Sequence, residues 1–426
     1  MPTEDGNPLR LEFSEDAPGL RIVRQPPPVG AASCSASYIG PAGWGFDPAG
    51  EAGIARLVNH LLTSATARDD RVALARRLDR AGATLSRQAS AEAAQVTIWG
   101  PAEDWESLLG ILAEVVLTPR FDPTDLARVR RQFFERQLRE AAQPGSRAEY
   151  ELLQAVFPPG HPYRSTGLGD RRSVAGIDRA RLQRFHREHY TRGEGIVVVT
   201  APATIRAVER SVRSRFDGFA LDRGPELRLP RWRPASPQER VVDLPGRSQV
   251  EIRLGGPSIP QGSPEYPGGY LANEVLGGRP LLARLFQRVR EKNGLAYHAS
   301  SHLDTMRLGG VWIAQAGTGP ERWRKVVPMM ESEVRRLRRE RVPTRELASV
   351  RESAIGQIQL ALESTAEAHG LAVDVAYHGL PADYWLTWPA QLRKVTPEEL
   401  LRAARTTFER DGSATVVSGP VGPSAP

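Results

Sequence analysis

Gly195-Ile196-Val197-Val198-Val199-Thr200-Ala201-Pro202 and Ser413-Ala414-Thr415-Val416-Val417-Ser418-Gly419-Pro420 are two versions of one passage. Each is a β-branched run closed by proline, as a buried strand is when its next residue has no N–H to donate. Each follows an amphipathic helix with an acid near its start, Asp178 to Tyr190 in the first case and Thr396 to Phe408 in the second. The offset is 218 residues, counted from Tyr190 to Phe408 or from Pro202 to Pro420. A second pair lies upstream in the same order: Phe121-Asp122-Pro123-Thr124-Asp125-Leu126 and Arg341-Val342-Pro343-Thr344-Arg345-Glu346-Leu347. In both, Pro-Thr precedes a long helix, and the hydroxyls of Thr124 and Thr344 are expected to cap it. Passages repeated in order imply two similar domains. Prolines between Leu221 and Pro237 suit a stiff connection, so the expected division is 1–225 and 226–426.

Within each half, strands and helices alternate. Ala93-Ala94-Gln95-Val96-Thr97-Ile98-Trp99-Gly100 reads as a strand, and Asp104 to Leu117 as a helix with Leu108, Leu109, Leu112, Val115 and Val116 on one face. Gln249 to Leu254 alternates like a half-buried strand, and Gly255-Gly256-Pro257-Ser258 after it reads as a turn. No Gly-Lys-Ser follows that turn, which argues against a phosphate cradle. The fold class expected is α+β: two homologous domains, each a mainly antiparallel sheet with helices packed on one face.

Composition narrows the function. The chain has 426 residues, 40% hydrophobic and 25% charged, which is ordinary for a globular protein. The single cysteine, Cys34, excludes a disulfide scaffold. No apolar run is long enough to span a membrane. The opening Met1-Pro2-Thr3-Glu4-Asp5-Gly6 has no signal-peptide pattern, so a cytoplasmic location is expected. Of 57 basic residues all but Lys292, Lys325 and Lys394 are arginine. They are interleaved with acids, as in Arg128-Val129-Arg130-Arg131-Gln132-Phe133-Phe134-Glu135, whereas a nucleic-acid binder gathers its charge on one face. Neither nucleic acid nor membrane is therefore an expected partner.

Two stretches carry chemistry. The first is Gly53-Ile54-Ala55-Arg56-Leu57-Val58-Asn59-His60-Leu61-Leu62, and the second is Leu285-Phe286-Gln287-Arg288-Val289-Arg290-Glu291-Lys292-Asn293-Gly294-Leu295-Ala296-Tyr297. Read as local structure, the second is a helix end with basic residues near its C-terminus and Asn-Gly as a left-handed cap. His298 and His302 lie close by and receive no role.

With these stretches, His161-Pro162-Tyr163-Arg164 and the repeat, nearly the whole chain resembles the pitrilysin/insulinase-type inverted-zincin metallopeptidases, in particular their processing-peptidase-like members. Their zinc helix carries H-x-x-E-H, two histidines one turn apart with a glutamate as general base. In the matching positions this chain has Arg56, Asn59 and His60. Arginine offers a metal no lone pair, and an amide does not take a proton from water. The resemblance puts the third ligand at Gln137, or one turn away at Glu135 or Glu140. No zinc, and no other cofactor, is therefore expected in this chain. The segment Ala81-Gly82-Ala83-Thr84-Leu85-Ser86 is similar to the family's edge strand beside the zinc helix, where peptides add as an extra strand.

By the same resemblance Arg290 holds a substrate carbonyl, and Tyr297 donates to the oxyanion formed when a peptide bond is attacked. These two are the expected catalytic residues. The resemblance implies a zinc-less subunit, inactive alone, of a bacterial heterodimeric metalloendopeptidase. Its partner would be a homologous subunit with an intact H-x-x-E-H that carries the zinc, and its substrates peptides. The alternatives are a self-associating peptide-binding pseudoenzyme and a structural core subunit without proteolysis.

Overall fold

The computed structural model describes residues 10–14, 19–220, 224–231 and 236–422. The Met1–Gly6 stretch and part of the proline-bearing connection, 221–223 and 232–235, lie outside them. The chain forms two compact units. One takes the described part of Met1–Glu135 with Thr166–Arg228 and Ile358–Thr387; the other takes Arg136–Ser165, Leu229–Gln357 and Trp388–Pro426. Each unit thus includes a helical segment from the other's half of the sequence.

The first unit is built on six strands: β1 Glu12–Phe13, β2 Leu20–Gln25, β3 Ser33–Gly40, β4 Thr84–Ala89, β5 Ala94–Pro101 and β6 Gly195–Thr200. Their order is β1-β2-β6-β3-β5-β4, with β2 and β6 parallel and all other neighbours antiparallel. The second unit has β7 Gln238–Asp243, β8 Val250–Pro257, β9 Ala296–Thr305, β10 Gly310–Thr318 and β11 Ala414–Gly419, in the order β7-β11-β8-β10-β9. It too has one parallel pair, β7 with β11. The sheets share a plan, and the two repeated runs fall on equivalent strands, β6 and β11. The α+β class of two alike, mostly antiparallel sheets is thereby established.

Alternation along β3 shows how the first core is layered. Tyr38, fully buried, stacks on Tyr190 and Phe216 at centroid distances of 6.3 and 6.1 Å. Its neighbour Ser37 points to the opposite face and meets His369 of the helix Thr365–His378. One helix thus covers the face that the main core leaves bare. In the second unit the helix Pro144–Val156 packs on β8 and β11.

The helix caps differ from expectation. The helices begin at Pro123 and at Thr344, so Thr124 and Thr344 lie inside the first turn. At the first, Asp122 does the capping and accepts from the Thr124 N–H at 2.8 Å. Its carboxyl is held below the usual range chiefly by that bond. The expected turn at Gly255-Gly256-Pro257 is instead the last part of β8. Two glycines suit a strand there because the neighbouring strand leaves no room: a Cβ on Gly255 would stand 2.5 Å from the Trp312 carbonyl oxygen.

Candidate functional site

The helix Ile54–Leu62 is apolar along one flank, and it buries Ile54, Leu57, Val58, Leu61 and Leu62 in the first core. Its start is fixed by Gly53 in the left-handed region, φ 99°, and by Asp47, whose carboxylate accepts from the N–H groups of Gly53 (2.7 Å) and Ala55 (3.0 Å). This anchoring sets which way the motif residues face.

Arg56 lays its guanidinium over the Trp44 ring, 4.8 Å from the centroid. Asn59 is buried, and its amide donates to the Gln95 carbonyl at 3.4 Å. His60 stands edge-on to Phe133, 6.0 Å between centroids. Its Nε2 lies 2.8 Å from Arg87 Nη2, and another nitrogen of that guanidinium donates to Thr63 Oγ1 at 3.0 Å. Guanidinium only donates, so Nε2 accepts and the imidazole proton sits on Nδ1. Burial first, and the nearby Arg128 second, lower the pKa of Arg87. Arg128 itself is paired with Asp125 at 2.9 Å and donates to Ser64.

This donor set does not fit zinc. A metal needs the lone pair that Nε2 gives to Arg87, and the positions around it carry cations and an amide instead of imidazole and carboxylate. Gln137 lies one turn beyond Phe133 on the helix Pro123–Ala142; Glu135 is exposed and Glu140 is held by Arg136 at 2.7 Å. Among the described residues no three His, Cys, Asp or Glu side chains gather as a metal cluster. Sequence reasoning missed Arg87. It sits on β4, the edge strand of the first sheet, and strand alternation from Thr84 was the signal that could have pointed to it.

Arg290 and Tyr297 belong to the second unit. Arg290 is in a π-helical segment, Phe286–Glu291, of the kind that often marks functional sites. A second such segment, Glu274–Gly278, lies just upstream. The expected cap forms: Gly294 takes φ 60°, and its N–H donates to the Arg290 carbonyl at 2.8 Å. The turn then delivers Tyr297 as the second residue of β9. The Arg290 guanidinium rests over Phe286 at 4.9 Å, and the Tyr297 side chain is 62% exposed. Among the described residues neither side chain is hydrogen-bonded, to the other or elsewhere. Both therefore stand open to a ligand. His298 lies 3.4 Å from Glu251, and His302 3.7 Å from Asp304.

The chain matches the family described as "Insulinase (Peptidase family M16)" over residues 28–158, and "Peptidase M16 inactive domain" over residues 176–354. It is 27% identical over 409 residues to an uncharacterized zinc protease of Mycobacterium tuberculosis, covering 95% of this chain and 92% of that one. It is 23% identical to an uncharacterized zinc protease of Bacillus subtilis, over 82% of this chain and 83% of the relative. Among solved structures, a peptidase M16 inactive domain from Pseudomonas fluorescens superposes with a TM-score of 0.90 at 22% identity, covering 98% of this chain and 99% of that one. A protease from Helicobacter pylori gives 0.88 at 18% identity, over 96% and 99%. With residues 28–158 and 176–354 both matched to descriptions of one family, the chain belongs to the M16 (insulinase) peptidase family.

Proposed function

We propose that this chain is the zinc-less subunit of a two-chain M16 metalloendopeptidase. In this reading the partner supplies the metal centre, and the chain described here supplies substrate-binding and oxyanion-stabilising groups from its second unit. Arg290 holds a peptide carbonyl. Tyr297 donates its phenol proton toward the carbonyl oxygen that gains negative charge as the peptide bond is attacked. The residues 1–225 and 226–426 correspond to the degenerate zinc half and the arginine–tyrosine half.

One contrast carries the reading. In the first unit Arg87 occupies the imidazole nitrogen that a metal would need, whereas in the second unit Arg290 and Tyr297 are exposed and free of intramolecular bonds. A purely structural subunit has no use for donors kept open in that way. The names of the relatives, zinc proteases, support peptide hydrolysis as the chemistry of the assembly.

The test is reconstitution. The purified chain is expected to leave a quenched peptide library uncut. Mixed with a homologue that carries H-x-x-E-H, it is expected to co-elute in size-exclusion chromatography and to restore chelator-sensitive cleavage. Cleavage by the chain alone, abolished by chelator, would overturn the proposal. Cleavage by the homologue that the chain neither joins nor enhances would favour the self-associating pseudoenzyme.

A further inference from the structure

The second unit has a cavity of about 580 Å³ away from Arg290 and Tyr297, and Arg335, Arg338, Arg339, Arg405 and Arg410 are among the residues that line it. The first three come from the end of the helix Trp323–Arg339, Arg405 from the end of the helix Pro397–Thr407, and Arg410 from the turn that follows. Basic residues at a helix C-terminus are ordinary, because they answer the negative end of the dipole. That accounts for one contact here: Arg405 Nε donates to the Arg338 carbonyl at 3.1 Å. It does not account for five cations around one concavity.

Their counter-charges are sparse. Two carboxylates line the cavity, Glu239 and Glu331, and Glu331 accepts from Thr415 Oγ1 at 3.2 Å. Glu409 and Asp411 act on Arg338 from the adjoining turn. Among the described residues none of the five arginines is ion-paired with a carboxylate, whereas most arginines that meet an acid elsewhere in the unit do so within 3.2 Å, such as Arg284 with Glu346 at 2.7 Å. Arg338 is half-buried, and its Nε is buried without a hydrogen-bond partner. Burial, with Arg410 and Arg339 adding to it, pulls its pKa down. Acids thus stand near the wall, but among the described residues none is in ion-pair contact with these five arginines.

We propose that this cavity is a binding site for a compact organic phosphate carrying two or more negative charges. Five arginines brought to one cavity by two helix ends and a turn suit a tetrahedral, multiply charged oxyanion better than a planar carboxylate, which one guanidinium fork already satisfies. The volume lies within the usual range for small-molecule sites and exceeds what a free phosphate fills. Beside the arginines the lining includes Leu254, Trp312, Val334 and Phe408, so the organic part of such a ligand has apolar side chains to rest against. The charges ring a pocket rather than track along a groove, which favours a small molecule over a nucleic-acid strand. This site does not depend on the peptidase reading.

The experiment is calorimetric titration of the full chain at low salt with pyrophosphate, phenyl phosphate and citrate, and with a short single-stranded oligonucleotide. Pyrophosphate and phenyl phosphate are expected to saturate one site with micromolar to low-millimolar affinity, more tightly than citrate, and to weaken as salt is raised. Arg335→Gln and Arg410→Gln change exposed side chains that make no hydrogen bond, so folding is preserved. Each is expected to weaken binding about threefold to tenfold, and Arg405→Gln at least as much. Arg213→Gln, an exposed arginine of the first unit, is expected to change nothing. Absence of saturable binding by either phosphate overturns the proposal. So does binding that R335Q, R410Q and R405Q leave unchanged, tighter binding of citrate, or an oligonucleotide that binds more tightly through the same arginines.

Discussion

Arg87 donates its guanidinium to Nε2 of His60 across 2.8 Å, from an edge strand onto the helix that carries the degenerate motif. The imidazole of the motif is therefore already engaged by a permanent cation, apart from the change of letters at Arg56 and Asn59. The expected consequence concerns repair. Arg56→His with Asn59→Glu restores the letters of H-x-x-E-H yet leaves Arg87 in place, and this double variant is expected to take up well under one zinc per chain in equilibrium dialysis. Adding Arg87→Ala is expected to raise the occupancy. Full loading of the double variant with Arg87 still present would show that this contact does not block the site.

His369 makes a second prediction. Its ring is fully buried, with Nε2 2.7 Å from Ser37 Oγ and Nδ1 2.8 Å from Thr200 Oγ1, so it ties the helix Thr365–His378 to β3 and β6. Replacing it with leucine strands the buried Thr200 hydroxyl, at a cost of about 1–3 kcal/mol, whereas Ser37 keeps Thr97 Oγ1 at 2.7 Å. Burial lowers its pKa to about 3, and lowers those of His161 and His186 to about 4. In the unfolded chain all three titrate near the ordinary value of about 6.5. Between these limits the unfolded state binds more protons than the native one, so stability rises with pH. The stability these neutral rings contribute is thus complete above about pH 6.5 and drains away as the pH falls toward 4 and then 3. Melting curves from pH 7 to 4 are expected to show this decline. His369→Leu is expected to start lower and decline less steeply. An equal slope in the variant would remove His369 from the account.

How far the fold was legible depends on the range of the signal. Strand β6 and its copy β11 were readable because a β-branched run closed by Pro202 or Pro420 is a local signal, and the spacing between copies exposed the duplication. The departures from H-x-x-E-H were readable because Arg56 and Asn59 stand in the sequence itself. The lock on His60 was not, since Arg87 is 27 residues away on another element. Nor was the exchange of helices. Thr365–His378 and Pro144–Val156 each have a face that a sheet can bury, and periodicity does not say which sheet. Pro-Thr misplaced the first cap because Asp122, two residues before Thr124, is an equally good acceptor and comes first.

Gly255 shows how a turn-like sequence can be a strand. The residue is paired with Ile313 in the β8–β10 ladder, and the Trp312 carbonyl fills the place where a side chain would begin. Because backbone, not a flexible side chain, stands there, Gly255→Ala must displace one strand from the other. The expected loss is about 3 kcal/mol, the upper end of what overpacking typically costs, because the site cannot relax. Gly294→Ala, where nothing lies within 4 Å of the added methyl, is expected to lose only about 1 kcal/mol through its positive φ. Chemical denaturation of the two variants checks the ranking. A Gly255→Ala chain as stable as the parent would mean that the strands separate at little cost.

Tyr297 and Arg290 separate the proposed catalytic role from a structural one. Tyr297 is 62% exposed and makes no intramolecular hydrogen bond, so Tyr297→Phe is expected to leave the melting temperature unchanged. In the reconstituted complex the same change is expected to lower kcat by roughly a hundredfold to a thousandfold with little effect on KM, as befits a donor used only when charge develops. In the proposed role Arg290 would act on the ground state as well, since a bound carbonyl is present before attack. Arg290→Gln is therefore expected to raise KM and lower kcat together, and Arg290→Lys to recover part of the binding but not the forked geometry. The cation–π contact with Phe286 is exposed and contributes only about 0.5–1 kcal/mol, so stability again changes little. If both variants melt like the parent and the complex turns over peptide at the parental rate, these side chains take no part in the reaction, and the second unit serves only as a wall.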